Sequence, residues 1–304
     1  MLKKKSPQVQ KGQPHKFAVV CASGLGDALL SMVIAYNLAQ TGFRVTTFSS
    51  ILCELKDWFP STPILPHPSH ENFYSTFAAF DTVIAADHSM ISEAHCFDNH
   101  LIVLNENAFD KTKTMVENLR LVCSHQLQLI GAEKSNGVKP PASLKWRLHS
   151  QRVILHPSSS DAKKNWPASK YIALARELEK EGYDPYFCVS PLEHIEWKNA
   201  VSVKRLPFFP QLDTLAAFIY ESGYLIGNDS GLGHLASALN IPTLSLFARK
   251  GYSNLWRPGW GFGRVVSPPP ILPGSYLKQK YWKDLLSVGR VRKAFMKVKM
   301  EEKR

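Results

Sequence analysis

Cysteine is scarce. The 304 residues hold five, at Cys21, Cys53, Cys96, Cys123 and Cys188, an odd number with irregular spacing and no CxxC pair. That excludes a disulfide scaffold and matches reduced thiols in a cytosol. No run of about 18 apolar residues occurs, so no membrane-spanning helix is expected. The opening MLKKKSPQVQKGQPHK has the basic end of a signal peptide, but the FAVVCA behind it is only a strand's length. The expectation is a soluble, cytoplasmic protein. At 44% hydrophobic and 20% charged residues, the chain is too apolar for disorder and long enough for two domains, each with its own core.

Acid is nearly missing from the two ends. Residues 1–16 carry five lysines and no Asp or Glu, and residues 278–304 carry ten Lys/Arg against three acids. These ends account for the whole net charge of +12, and the body between them is neutral. Basic ends on a neutral body are either solvated tails or a means of contact with an anionic membrane surface. Nucleic acid is disfavoured as a partner: there is no helix-turn-helix, zinc finger or aromatic-plus-basic stripe, and the body lacks a charge excess.

Apolar runs of strand length alternate with helical periods. FAVVCA (17–22) predicts a buried strand, SGLGD a glycine turn, ALLSMVIAYNLAQ (28–40) a helix stopped by Gly42, and RVTTFS (44–49) the next strand. DTVIAAD (81–87) and HLIVLN (100–105) predict further strands and residues 111–130 a helix. After a Gly/Pro/Lys-rich boundary at 131–150 the pattern restarts, with strands at 152–157, 184–190, 224–227 and 243–248 and helices at 169–182, 214–222 and 233–240. The fold class is α/β, two Rossmann-like domains with parallel sheets facing a central cleft. The boundaries are a basic tail at 1–16, domains at 17–140 and 141–285, and a closing helix with a basic tail at 286–304.

Three loops follow strand ends, where ligands of parallel sheets bind. In SGLGDALLS, Gly24 and Gly26 fail the dinucleotide fingerprint and no GK[ST] makes a P-loop. What stands out is Asp27 at a helix start, either a first-turn carboxylate favoured by the helix dipole or a general base. In GNDSGLGHLASALN the free amides at a helix start, Ser230 and two glycines suit an anion, with Asp229 or Ser230 alternatively a plain cap. His234 by itself reads as structural. HPSSSDAKKNWP offers serines and lysines to phosphate, or is a solvated loop. HCFDNH (95–100) satisfies no usual zinc spacing.

GNDSGLGHLASALNIPTLSLF closely resembles the signature of glycosyltransferase family 9, the bacterial lipopolysaccharide heptosyltransferases. The match runs from Gly227 through Asp229, Ser230, Gly231, His234, Ala236, Ala238 and Pro242 to Phe247, and departs at Ala248, where the family usually has Gly. GLGDALLSMVIAYNL, FDTVIA (with Ala85 in place of an acid), TMVENLRLVCSHQLQLIGA, HPSSSDAKKNWP (with Ser158 where Gly is common) and SVGRVRKAF resemble further family elements in the family's order.

The resemblance implies a GT-B fold with the acceptor on the N-terminal domain and the nucleotide on the C-terminal one. It also implies an inverting, metal-independent transfer from an ADP-activated sugar, with no cofactor. Asp27 falls on the family's catalytic carboxylate, near the acceptor-side glycines Gly24 and Gly26. Lys164, chosen over Lys163 because it fits K-x-W-P, and the amides of Ser230, Gly231 and Leu232 would hold the leaving diphosphate. Asp229 would contact sugar hydroxyls or brace its loop, Glu193 would reach the ribose, and His234 belongs to the same donor motif. The implied partners are ADP-heptose and a lipid-linked saccharide acceptor, with the protein a monomer. Transfer of another nucleotide sugar, a non-catalytic nucleotide-sugar binder and a sugar-nucleotide epimerase stay open.

Overall fold

A computed structural model describes residues 15–86, 101–248, 250–269 and 275–302. The basic N-terminal stretch up to residue 14, HCFDNH and Cys96 lie outside the described residues. The chain divides into two compact units, one of Met1–Asp110 with Met115–Lys139 and one of Lys111–Thr114 with Pro140–Arg304.

The first unit contains β1 (Lys16–Val20), α1 (Leu25–Gln40), β2 (Arg44–Phe48), β3 (Ile64–Leu65), α2 (Phe73–Phe77), β4 (Thr82–Ala85), β5 (Leu101–Val103) and α3 (Met115–Leu121). Its sheet is parallel, in the order β3-β2-β1-β4-β5. β1 lies at the centre, and its residues 17–20 are all buried because neighbours cover both faces. Helix α1 is buried on almost every side, which explains its lack of a polar stripe. It ends where Gly42 takes φ +87° and the amide of Phe43 returns to Leu38 O. The helix expected over 111–130 is shorter: α3 gives way to a π-helical turn at Val122–Gln126.

The second unit contains β6 (His149–His156), α4 (Ala168–Lys180), β7 (Asp184–Phe187), α5 (His194–Lys198), α6 (Leu212–Tyr220), β8 (Ser222–Asn228), α7 (Gly231–Ala238), β9 (Thr243–Leu246), α8 (Lys250–Trp256), β10 (Gly263–Val266), α9 (Ser275–Leu285) and α10 (Val288–Glu302). The sheet is again parallel, in the order β10-β9-β8-β6-β7. β8 is buried along its whole length. β6 comes so close to it that a side chain at Gly223 would stand 2.0 Å from Ser150 O, so only glycine fits. α10 carries the basic C-terminal run, yet Val291, Phe295 and Val298 are in the core, and the Phe295 ring packs edge-on to Tyr183 and Tyr224 at 5.0 and 5.1 Å. Removing the Phe295 ring would cost about 3–5 kcal/mol.

Both sheets reverse direction once. After β3 the chain crosses to the far side of β1, and after β7 it crosses to the far side of β6. The switch points lie between β1 and β4 and between β6 and β8, and the carboxyl ends there are the places open sheets offer to ligands. Residues 21–27 follow β1, residues 157–167 follow β6, and residues 229–231 follow β8. The three loops singled out by sequence therefore flank the switch points.

No described helix is long and apolar enough to cross a membrane. The four described cysteines are free thiols. Burial pushes Cys21 and Cys123 up to about 12, so neither is a thiolate at neutral pH.

Candidate active site

In the second unit the site is built on Asn228, the last residue of β8, which is 2% exposed. Its Oδ1 accepts from the Trp166 amide at 3.1 Å and from the Tyr171 hydroxyl at 3.0 Å, while its Nδ2 donates to Pro157 O at 2.7 Å. One amide side chain thus ties both ends of the 157–167 loop to the strand beside it. Behind the loop, the Trp166 indole donates to Leu286 O, the Trp282 indole to Lys163 O and Lys283 Nζ to Ala162 O. Lys170 Nζ caps three carbonyls at the end of α9, those of Lys283, Asp284 and Leu286.

So held, Lys164 projects its ammonium to 2.8 Å from Asp229 Oδ2. The Lys164 side chain is 41% exposed and that of Asp229 12%. Burial pulls the ammonium down, but the hydrogen bond and charge of Asp229 outweigh it, with Tyr252 and Asp161 assisting, and hold Lys164 above its usual range. It is a full cation with one N–H on Asp229 and two others to offer. The Tyr252 ring centroid lies 6.0 Å away.

The helix expected to open near Gly233 starts two residues earlier. Ser230 is the extended N-cap residue, yet its side chain makes no cap bond, and its Oγ is buried without a partner among the described residues. The first-turn amides carry the positive end of the helix dipole. His234 lies one turn in, 5% exposed and edge-on to Trp260. Burial lowers it to about 4 against the pull of Asp229 and the Trp256 backbone, so it is neutral. Its Nδ1 has no partner among the described residues. Glu193 stands apart from this group. Its Oε2 accepts from Ser158 Oγ at 2.9 Å and from the amide and hydroxyl of Ser190 at 3.0 and 2.7 Å, clasping the loops after β6 and β7.

In the first unit, Gly24 is the N-cap of α1 and Gly26 and Asp27 lie in its first turn. Asp27 is exposed at the carboxyl end of β1. A Cβ at Gly24 would meet Asp27 Oδ2 at 3.2 Å, so the carboxylate folds back over the helix start and glycine leaves room for it. His67 braces this turn: its Nε2 donates to Cys21 O at 2.8 Å and its Nδ1 faces the Ser50 hydroxyl at 3.2 Å.

The structure therefore groups Lys164, Asp229, Ser230, Gly231, Leu232 and His234 around one helix start, and Gly24, Gly26 and Asp27 around another. Asn228, Trp282 and His67 were missed by sequence reasoning. An Asn beside Asp229 reads as a turn residue, and Trp282 and His67 act from segments without a clear period. Among the described residues no cluster of three or more His, Cys, Asp or Glu side chains could hold a metal.

The family model described as "Glycosyltransferase family 9 (heptosyltransferase)" matches residues 100–258. This chain belongs to glycosyltransferase family 9. A lipopolysaccharide heptosyltransferase 1 from Campylobacter coli is 25% identical over 172 residues, 53% of this chain and 44% of that protein. The match spans less than half the length of that curated relative. The solved Escherichia coli ADP-heptose lps heptosyltransferase II has a TM-score of 0.72 at 17% identity, over 95% of this chain and 100% of its own. Escherichia coli heptosyltransferase WaaC with ADP has a TM-score of 0.68 at 15% identity, over 93% and 99%. The family 9 chain thus has the GT-B fold, two α/β units with parallel sheets. Its motif from Gly227 to Phe247, the residues around β8, α7 and β9, lies inside the matched segment.

Proposed function

We propose that this family 9 protein transfers a sugar, heptose above all, from an ADP-activated donor to a hydroxyl of a lipopolysaccharide-core or related glycan, with inversion and without a metal. The observation that carries the reading is the start of α7. A lysine cation, first-turn amides and two buried polar atoms without partners among the described residues, Ser230 Oγ and His234 Nδ1, converge there beside Asp229. Donors on both sides and a dipole suit a diphosphate. Membership of the family, and the WaaC structure of the same fold that holds ADP, favour ADP as the nucleotide.

In the reaction the acceptor oxygen bonds to the anomeric carbon as the bond from that carbon to the diphosphate oxygen breaks. The electron pair leaves on ADP, and the acceptor proton passes to Asp27. Lys164 keeps its contact with Asp229 and turns its other N–H groups to the developing charge, joined by the amides of Ser230, Gly231 and Leu232. A helix-start carboxylate is a weak base, so orientation of the hydroxyl carries much of the acceleration. Glu193, fixed through Oε2, has Oε1 for the ribose.

The test is to incubate the protein with ADP-heptose and heptose-deficient lipid A–core. ADP release that depends on the acceptor, with a gain of one heptose in its mass, supports the reading. Conversion of the donor without acceptor, or no turnover at all while ADP binds, overturns it.

A further inference from the structure

A groove of about 740 Å³ runs along β10, at the edge of the second unit's sheet and two strands from β8. α8 and α10 wall it. In α10, Arg290, Lys293, Ala294 and Lys297 fall on one stripe and line the groove. Arg257 enters from just past α8 and Arg264 from β10, and among the described residues no acidic side chain lines the space. Arg264 is neutralised by a two-nitrogen pairing with Glu301. Among the described residues the other four cations have no carboxylate partner. Arg290 Nε donates to Ser267 O at 2.9 Å, which fixes its fork and leaves the outer N–H groups to the groove.

The rest of α10 shows that this imbalance is local. Outside the stripe, Arg292 pairs with Glu181 at 2.6 Å and Lys299 lies over the Tyr183 ring at 5.2 Å. The groove floor is polar as well. The amides of Thr243 and Phe247 on the β9 side bond Phe262 O and Val266 O. Alternation then turns the backbone groups of Gly263, Val265 and Ser267 away from β9. Ser267 Oγ is buried without a partner among the described residues. Cations without counter-ions, an orphaned hydroxyl and outward amides share one concavity, of a size that holds small ligands.

We propose that this groove is a binding site for a phosphate-bearing anion, separate from the loops that carry Lys164 and Asp229. The phosphate belongs either to a soluble polyphosphate ester or to the headgroup of an anionic lipid, and the chemistry of recognition is the same.

The test uses the full chain with excess ADP present, comparing Lys293→Ala/Lys297→Ala with a charge-matched control, Lys180→Ala/Lys198→Ala. Alanine favours the helix, so the fold survives. Inorganic tripolyphosphate is titrated by calorimetry, and vesicles of phosphatidylglycerol in phosphatidylcholine are tested by sedimentation. Loss of at least about tenfold in tripolyphosphate affinity in the groove variant alone supports a soluble source. Absent tripolyphosphate binding, with vesicle affinity falling about 30-fold in the groove variant alone, supports a lipid source. Equal behaviour of the two variants, or no binding of either probe by the unaltered chain, overturns the proposal.

Discussion

Lys164 and Asp229 are 65 positions apart in the chain, and their side chains meet at 2.8 Å where the loops after β6 and β8 converge. The pair gives the site a cation whose direction is set before any ligand arrives. Because Lys164 is 41% exposed, solvent screens the pair, and its coupling in a double-mutant cycle should contribute only about 1 kcal/mol to stability.

Its larger effect should be on the nucleotide. Lys164→Ala is expected to weaken ADP by about 10- to 100-fold through loss of a charged hydrogen bond. Calorimetry reads this directly, and unchanged affinity would remove Lys164 from the site.

Asp27→Asn preserves the shape of the α1 start and removes the proposed base. Transfer should fall by at least about 100-fold with ADP affinity unaltered. Activity within tenfold of the original would show that another group takes the proton.

Asn228→Ala leaves the Trp166 amide, the Tyr171 hydroxyl and Pro157 O buried without their partner. A loss of about 2–4 kcal/mol is expected in urea unfolding, together with weaker ADP binding as the loop loosens. A change below 1 kcal/mol would mean that the loop is held from elsewhere.

His234 makes stability depend on pH. Its folded value of about 4 is below the ordinary 6.5, so the unfolded chain binds the proton more readily. The contribution is complete above pH 6.5 and is lost as pH falls towards 4. His156 is lowered as well, again mainly by burial, and adds to the trend. Between pH 7.5 and 4.5 the unaltered protein should lose roughly 2–3 kcal/mol more than His234→Gln. Equal losses in urea melts at the two pH values would contradict the assignment.

Much of this was legible in the residues themselves. Short apolar runs such as FAVVCA and YLIG mark central parallel strands because both faces are covered, and glycines mark the turns that follow. The motif from Gly227 to Phe247 carries Asp229, Ser230 and the start of α7 in consecutive positions, so it can be read locally. Of the four edge strands, β5 and β7 were read and β3 and β10 were not. β3 has two residues and β10 only four, and half-covered strands lose the continuous apolar signal. The site's supports were illegible for a different reason. Asn228 acts on residues up to 71 positions away, and Trp282 reaches back 119 positions to Lys163, distances at which no local period carries information.

The indole of Trp282 and the ammonium groups of Lys170 and Lys283 join the far end of the polypeptide to the ribbon bearing Lys164. A fragment ending at Gly274 would keep Lys164, Asp229 and the start of α7 and lose the contacts that hold the 157–167 loop from behind. A piece that keeps this backing must therefore run at least through Leu286. A substitution at the buried Trp282 should slacken the segment that bears Lys164 and so weaken the ADP binding proposed for it.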